Sequence, residues 1–485
     1  MLRQIKQLGA DTAVYGISTI LGRFLNFILV PLYTHYLDPG QYGIVSYVYS
    51  LIAFAYVVYL YGLETAFLKY ATTEEQGTKK QSFSTAMISL TGTSLVISIL
   101  LAAFAPMLLT AFKLPANQPS IIYYTAGILL CDTLCAIPFA SLRLERRAKL
   151  FAMLKLANIL INVGMNILLV AKLHKGIEGI FISGFVSSAA TVLLVLPTIK
   201  RNLILELKGI LWKALMKYGL PSVPAGLAGM VLQVVDRPIL KALTNDATVG
   251  IYQANYRLGI FMMLIVSMFD YAWKPFIFSL AMERDAKEIF SRVLTYFTLL
   301  MASVFLFLTF FIDNIVRINL FGFTLINERY WSGLDIVPIV LLGYLFLGMA
   351  TTMSAGIYIE KKTQYNPPIT MAAAAVNIAV NLFLIPLIGF PGAAWATLIA
   401  YFVMAVMTYI MTQRIYPMKY EWGRLLKIGI ALAIVVVTEA AVLASAFDIL
   451  FKILLVIVFF LLLGIMQFFK PGEMAMLKGM VRKFR

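Results

Sequence analysis

Apolar runs of about twenty residues, separated by short polar and charged segments, recur along almost the whole chain. A run of that length crosses a hydrocarbon core of roughly 30 Å as a helix rising 1.5 Å per residue. The pattern predicts about fourteen such helices. They fall at 12–34, 43–63, 83–111, 118–141, 151–171, 178–198, 214–238, 249–277, 292–312, 334–358, 367–388, 391–413, 425–446 and 449–469. No connecting loop is long enough to fold as a soluble domain. The longest outer loop, 313–333, carries Tyr330 and Trp331, which suit a headgroup-level anchor. The expected class is an all-α membrane protein.

The polar punctuation repeats. Leu144-Glu145-Arg146-Arg147 is followed by Asn162 and Asn166, and Ile359-Glu360-Lys361-Lys362 is followed at the same spacings by Asn377 and Asn381. Each block then reaches a GxxG, Gly176/Gly179 and Gly389/Gly392, and Pro31 precedes Gly43 by the interval that separates Pro238 from Gly250. This self-similarity divides the chain into a first six-helix lobe, 1–205, and a second, 206–420. Residues 421–485 add two further transmembrane helices and a basic tail. An even number of spans starts both lobes on the same side, so the repeat is parallel, related by an axis along the membrane normal. A site between such halves can open to either face.

Composition sharpens this picture. Of the 485 residues, 61% are hydrophobic and only 13% charged, too apolar for a dispersed soluble protein. The formal charge of +17 does not point to nucleic acid, because of where it sits. Most Lys and Arg lie in or beside 1–11, 70–82, 142–150, 199–213, 281–291, 359–366, 414–424 and 470–485; the opposite loops hold chiefly Lys113, Lys172, Lys175, Lys241, Arg317 and Arg329. This positive-inside bias places both termini in the cytoplasm. The tail 478–485 also suits contact with anionic lipid. The first apolar segment carries Arg23 in its middle and lacks a small-residue cleavage site, so it is expected to stay as a helix. Cys131 and Cys135 read as small apolar fillers. There is no Walker sequence, and the only histidines, His35 and His174, fall in outer loops. Neither an enzyme nor a cofactor or metal site is expected, and any transport must draw on a gradient or the membrane potential.

Ionisable groups at bilayer depth are costly, and each is a functional candidate. Arg23 lies near the middle of the first span; Glu64 and Asp132 are its possible partners. Span seven holds Pro221, Pro224 and then Asp236-Arg237. Span eight holds Arg257, with no charged residue at i±3 or i±4, and Asp270 with Lys274, spaced for an i,i+4 ion pair. Arg23, Arg237 and Arg257 would make a cavity cationic, and guanidinium forks match phosphate oxygens. The candidate substrate-binding residues are therefore Arg23, Arg237, Arg257, Asn162 and Asn377; the asparagines read first as interhelical hydrogen-bond glue and second as contacts to a sugar headgroup. Asp132, Asp236 and Asp270 are the ion-coupling candidates.

Further motifs carry a resemblance. Gly22-Arg23 precedes Ile28-Leu29-Val30-Pro31-Leu32-Tyr33-Thr34 and Leu37-Asp38-Pro39-Gly40-Gln41-Tyr42-Gly43; span seven has Tyr218-Gly219-Leu220-Pro221-Ser222-Val223-Pro224; the second half has Asp246, Gly250-Ile251-Tyr252 and Gly389-Phe390-Pro391-Gly392-Ala393-Ala394. As an ordered set these resemble the polysaccharide transporter and O-antigen flippase branch of the multidrug/oligosaccharidyl-lipid/polysaccharide exporter superfamily. The resemblance implies a V-shaped pair of six-helix lobes working by alternating access. It implies a cargo of undecaprenyl-pyrophosphate-linked oligosaccharide for surface polysaccharide or lipopolysaccharide, moved across a bacterial inner membrane. Polysaccharide polymerase and glycosyltransferases would be its partners. Arginines on the first and eighth helices of related lipid II flippases support Arg23 and Arg257, and two extra C-terminal helices there help form a lipid-tail groove. A cation-coupled multidrug exporter and a non-transporting membrane scaffold for glycan assembly are the rival readings.

Overall fold

A computed structural model describes residues 27–281, 283–320, 322–441 and 448–470. Arg23, most of the span expected at 12–34, and the tail 471–485 lie outside the described residues. The chain is an all-helical, multi-pass membrane protein. Ten described helices are long and apolar enough to cross a membrane, and an eleventh is added if Gly209–Val234 and Asp236–Leu243, bent by 59°, count as one span. Two further helices where spans were expected, Trp422–Ala441 and Asp448–Ile465, border residues 442–447, which lie outside the described residues; the first carries Arg424, Lys427 and Glu439.

The helices that matter for the site are named in chain order: α1 (Leu29–Tyr36), α2 (Pro39–Leu60), α3 (Leu63–Thr73), α4 (Lys79–Ala103), α5 (Ala105–Ala111), α6 (Ser120–Leu144), α7 (Ala148–Asn166), α8 (Gly176–Asn202), α9 (Gly209–Gly219), α10 (Val223–Val234), α11 (Asp236–Leu243), α12 (Asp246–Tyr256), α13 (Ile260–Leu280), α14 (Ala286–Arg317), α15 (Val337–Met353), α16 (Ala355–Ile359), α17 (Asn366–Ile388) and α18 (Pro391–Ile415). Local sequence sets their ends. Asp38 caps α2 in a reciprocal box with Gln41, with Pro39 in the first turn, and Asn245 caps α12 by accepting from the Thr248 amide at 2.9 Å. The break after α2 is made by Tyr61 and Gly62, both at positive φ.

Packing groups the chain into two compact units, a division different from the sequence repeats. The first comprises Met1–Ile260, Asn319–Ile336 and Asn366–Ala400. One of its cores is built from Leu63, Phe67, Phe83, Ile137 and Leu142, and Leu211 and Leu215 of α9 belong to it. The first helix after the repeat boundary thus packs with the helices before it. The second unit comprises Phe261–Ile318, Val337–Tyr365 and Tyr401–Arg485, with a core that includes Trp273, Phe290, Leu294, Met353 and Leu425.

The internal rhyme is visible in the backbone. Arg146 and Lys361 occupy the same left-handed conformation, φ 54° and 55°, and so do Gly176 and Gly389, φ 54° and 70°. Asn166 donates to the Asn162 carbonyl at 2.9 Å, and Asn381 to the Asn377 carbonyl at 2.9 Å. The Pro–Gly interval places Gly43 and Gly250 on facing turns of α2 and α12. A Cβ on Gly43 would stand 1.8 Å from the Asp246 carbonyl oxygen, and one on Gly250 1.9 Å from that of Pro39. Only glycine permits this reciprocal approach.

Candidate functional site

The first unit contains a continuous series of polar side chains. Arg257 occupies a 3-10 turn, Arg257–Gly259, that interrupts α12 and α13. It follows the 11-residue α12, which measures about 16 Å at 1.5 Å per residue. The guanidinium is half-buried, and among the described residues no carboxylate lies within salt-bridge distance of it. Its charge instead reaches the hydroxyls of Tyr33, Tyr42 and Tyr49.

From there the series runs along α7. Tyr33 donates to Asn166 Oδ1 at 2.9 Å, Asn166 donates to Asn162 Oδ1 at 3.1 Å, and Asn162 donates to Ser187 Oγ at 3.2 Å. Asn158 donates to Thr191 Oγ1 at 2.8 Å. The asparagines recur every four residues, so one helical face presents all three. Beside them Asp132 of α6 lies within electrostatic reach of Ser188 and Lys155. Tyr49 and Tyr56 of α2 lie in turn within reach of Asp132. Glu64, considered above as a partner for Arg23, is instead ion-paired with Arg143.

Other candidates are committed elsewhere. Arg237 is 5% exposed: it pairs with Asp236 at 2.5 Å, donates to Gln253 at 2.9 Å and to the Gln233 carbonyl at 2.6 Å, and lies 4.3 Å from the Tyr256 ring centroid. Asp236 also accepts from the Tyr252 hydroxyl. Nε and Nη1 of Arg237 are thus engaged within the protein, and its charge, like that of Arg257, reaches Tyr42. Asn377 and Asn381 are buried on α17 and bond to each other. In the second unit Asp270 and Lys274 form the expected i,i+4 ion pair at 2.7 Å.

Beside the start of α2 and the last turn of α12 a strap packs within the first unit. An antiparallel pair, β1 (Asn319–Leu320) and β2 (Phe323–Thr324), leads into a 3-10 run, Glu328–Ile336. Tyr330 donates to the Leu37 carbonyl at 3.0 Å, and Asn255 donates to the Tyr330 carbonyl at 2.8 Å. At the end of α6 Glu145 anchors a network. Burial alone would raise its carboxyl, but the Ser141 hydroxyl at 3.0 Å, the charges of Lys79 and Arg201, and Asn202 at 3.3 Å hold it below the ordinary carboxylate range.

Sequence reasoning did not single out Tyr42, Tyr49 and Tyr56. Their signal was the interval of seven, two helical turns, which sets three hydroxyls on one face of α2.

A family model described as "Polysaccharide biosynthesis protein" matches residues 8–281. No curated protein sequence matches the chain. Among solved structures, the chain is similar to the inward closed conformation of the lipid II flippase MurJ, with TM-score 0.71 and 15% identity over 92% of this chain and 98% of that one. It is similar to an inward-facing multidrug resistance MATE family transporter of the MOP superfamily, with TM-score 0.65 and 12% identity over 81% and 94%. The bent form of the Vibrio cholerae MATE transporter VcmN gives TM-score 0.53 and 14% identity over 84% and 96%. At these identities the likeness is one of fold.

Proposed function

The chain belongs to the polysaccharide biosynthesis protein family, and on that premise we propose that it is a non-enzymatic flippase for lipid-linked oligosaccharide. The cargo is an undecaprenyl-pyrophosphate-linked repeat unit. It is moved from the cytoplasmic to the outer leaflet of a bacterial inner membrane, with both termini of the protein cytoplasmic. The observation that carries this reading is Arg257: half-buried, without a counter-ion among the described residues, and within electrostatic reach of Tyr33, Tyr42 and Tyr49. A charge at bilayer depth costs about 3 kcal/mol or more, and a pyrophosphate would supply the missing partner. Arg23 is proposed as the second fork. The asparagine series on α7 offers amide donors and acceptors to the first sugars, with Asn162 in its middle. Asn377 holds the corresponding place in the second repeat.

The movement is proposed as rocking of 1–205 against 206–420, while the prenyl tail stays in lipid. Asp132, within electrostatic reach of Ser188 and Lys155, is proposed as the coupling group. Asp236 and Asp270 are already held by Arg237 and Lys274.

Flipping of lipid-linked oligosaccharide in reconstituted vesicles tests the reading. Arg257→Ala should lower the rate at least about tenfold, the loss of one charge-assisted bond, and Arg257→Lys should recover part of it. Unchanged flipping by Arg257→Ala protein would remove the site assignment. The Asp132 environment also suits a cation-coupled drug exporter. That reading gains if Asp132→Asn abolishes drug efflux while the parent protein flips no lipid-linked sugar.

A further inference from the structure

The two histidines are far apart in sequence, and no step above uses them. The fold brings both to one patch. The Tyr36 ring, at the end of α1, lies 5.9 Å from His174 with the planes 37° apart, and 6.4 Å from Phe323 with the planes 33° apart. His35 meets Phe323 edge-on at 5.1 Å. His174, Tyr36 and Phe323 thus form a row of neighbouring rings in which Tyr36 is tilted by 37° to one and 33° to the other. The rings come from three separate segments: the turn before α8, the end of α1 and strand β2. Phe323 is 44% exposed, His174 is exposed and Tyr36 is half-buried.

Two further features show that the row is built. His174 adopts φ 49°, a left-handed conformation that costs a non-glycine residue free energy, and that turn is what sets its ring beside Tyr36. His35 ties the strap to α1: its Nδ1–H donates to the Pro31 carbonyl at 2.8 Å, and its Nε2 faces the Thr324 hydroxyl at 3.3 Å. His35 thus joins α1 to β2 beside Phe323.

We propose that this row is a carbohydrate-binding platform at the exit end, where pyranose rings of the cargo stack after translocation. The proposal rests on the flippase reading above. A pyranose presents a face of polarised C–H bonds, and the electron-rich face of an aromatic ring attracts such groups. The centroid steps are comparable to the advance of one sugar along an oligosaccharide, so neighbouring rings can hold neighbouring sugars. Lys172 and Lys175, exposed on either side of His174 in sequence, bring hydroxyl-binding donors to the same turn. An interfacial aromatic belt anchors rings singly at headgroup level and does not require three segments to align theirs.

Saturation-transfer NMR on the protein in lipid nanodiscs tests this, with maltotetraose and chitotetraose as soluble probes lacking lipid and phosphate. Saturation should reach the ring C–H protons of at least one sugar. Tyr36→Ala and Phe323→Ala should each weaken binding about tenfold, Phe323→Tyr should restore it, and Tyr123→Ala, an exposed ring outside the row, should leave it unchanged. Transfer to neither sugar, or equal binding by the Tyr36→Ala and Phe323→Ala proteins, overturns the platform. If lipid-linked sugar is flipped and neither probe binds, the platform alone falls. If the probes bind through the row but nothing is flipped, the flippase reading falls and the sugar site stands.

Discussion

Replacing Gly250 by alanine should force α12 away from α2 where the two helices meet. The added Cβ would stand 1.9 Å from the Pro39 carbonyl oxygen, where real Cβ contacts essentially never fall below 3.0 Å. What it meets is main chain, which cannot rotate aside, so α12 must retreat from α2 by roughly 1 Å against close packing. Overpacking of this kind costs about 1–3 kcal/mol; at ~2 kcal/mol the closed arrangement loses ~30-fold in population relative to any arrangement that separates these turns. Gly43→Ala meets the Asp246 carbonyl oxygen in the same way and should behave alike. Nitroxides at the exposed positions Asn117 and Ala242, in protein lacking Cys131 and Cys135, would report the change as a longer distance population by double electron–electron resonance. Gly92→Ala is the control, because nothing lies within 4 Å of its Cβ position. Distance distributions and flipping rates identical to the parent in both Gly43→Ala and Gly250→Ala would refute the argument that this contact holds α2 and α12 together.

Other outcomes follow from the buried charges. Arg237→Ala should cost about 3–5 kcal/mol of stability by leaving Asp236 buried and unpaired; the Asp236→Asn/Arg237→Gln double variant should regain part of that in thermal unfolding. A stable Arg237→Ala protein would argue for a ligand role instead. The Glu145 carboxyl is held below the ordinary range. Its contribution is therefore fully present above the unfolded glutamate value of about 4.3 and is lost as pH falls through the lower folded value. Unfolding temperature should show this loss only on the acid side of about pH 4, and Glu145→Gln should abolish that component of the pH dependence.

Much of the fold was legible because a membrane span announces itself by unbroken apolar length, which depends on no partner. The repeat was legible too, since Arg146/Lys361 and Asn162/Asn377 carry it at fixed spacing, and the same backbone turns and side-chain bonds recur in both halves. What the pattern does not encode is which polar groups inside the membrane meet. Asp270 and Lys274 were readable because both partners share one helix. The Glu64–Arg143 pair joins α3 to α6, and the Tyr33–Asn166 bond joins α1 to α7; both depend on helix adjacency. Asp236 beside Arg237 was visible in the sequence; that Gln253, sixteen residues on, bonds the same guanidinium was not.

The mutual approach of Gly43 and Gly250 limits how this protein can be repaired. A bulky residue in a core is commonly rescued by trimming its neighbour. Here the obstructing atoms belong to carbonyls that every amino acid possesses, so no facing substitution can make room. A suppressor screen begun from either alanine variant should return changes that shift or bend a whole segment, at the Asp38 or Asn245 caps or at the Tyr61-Gly62 break, and none at the point of collision.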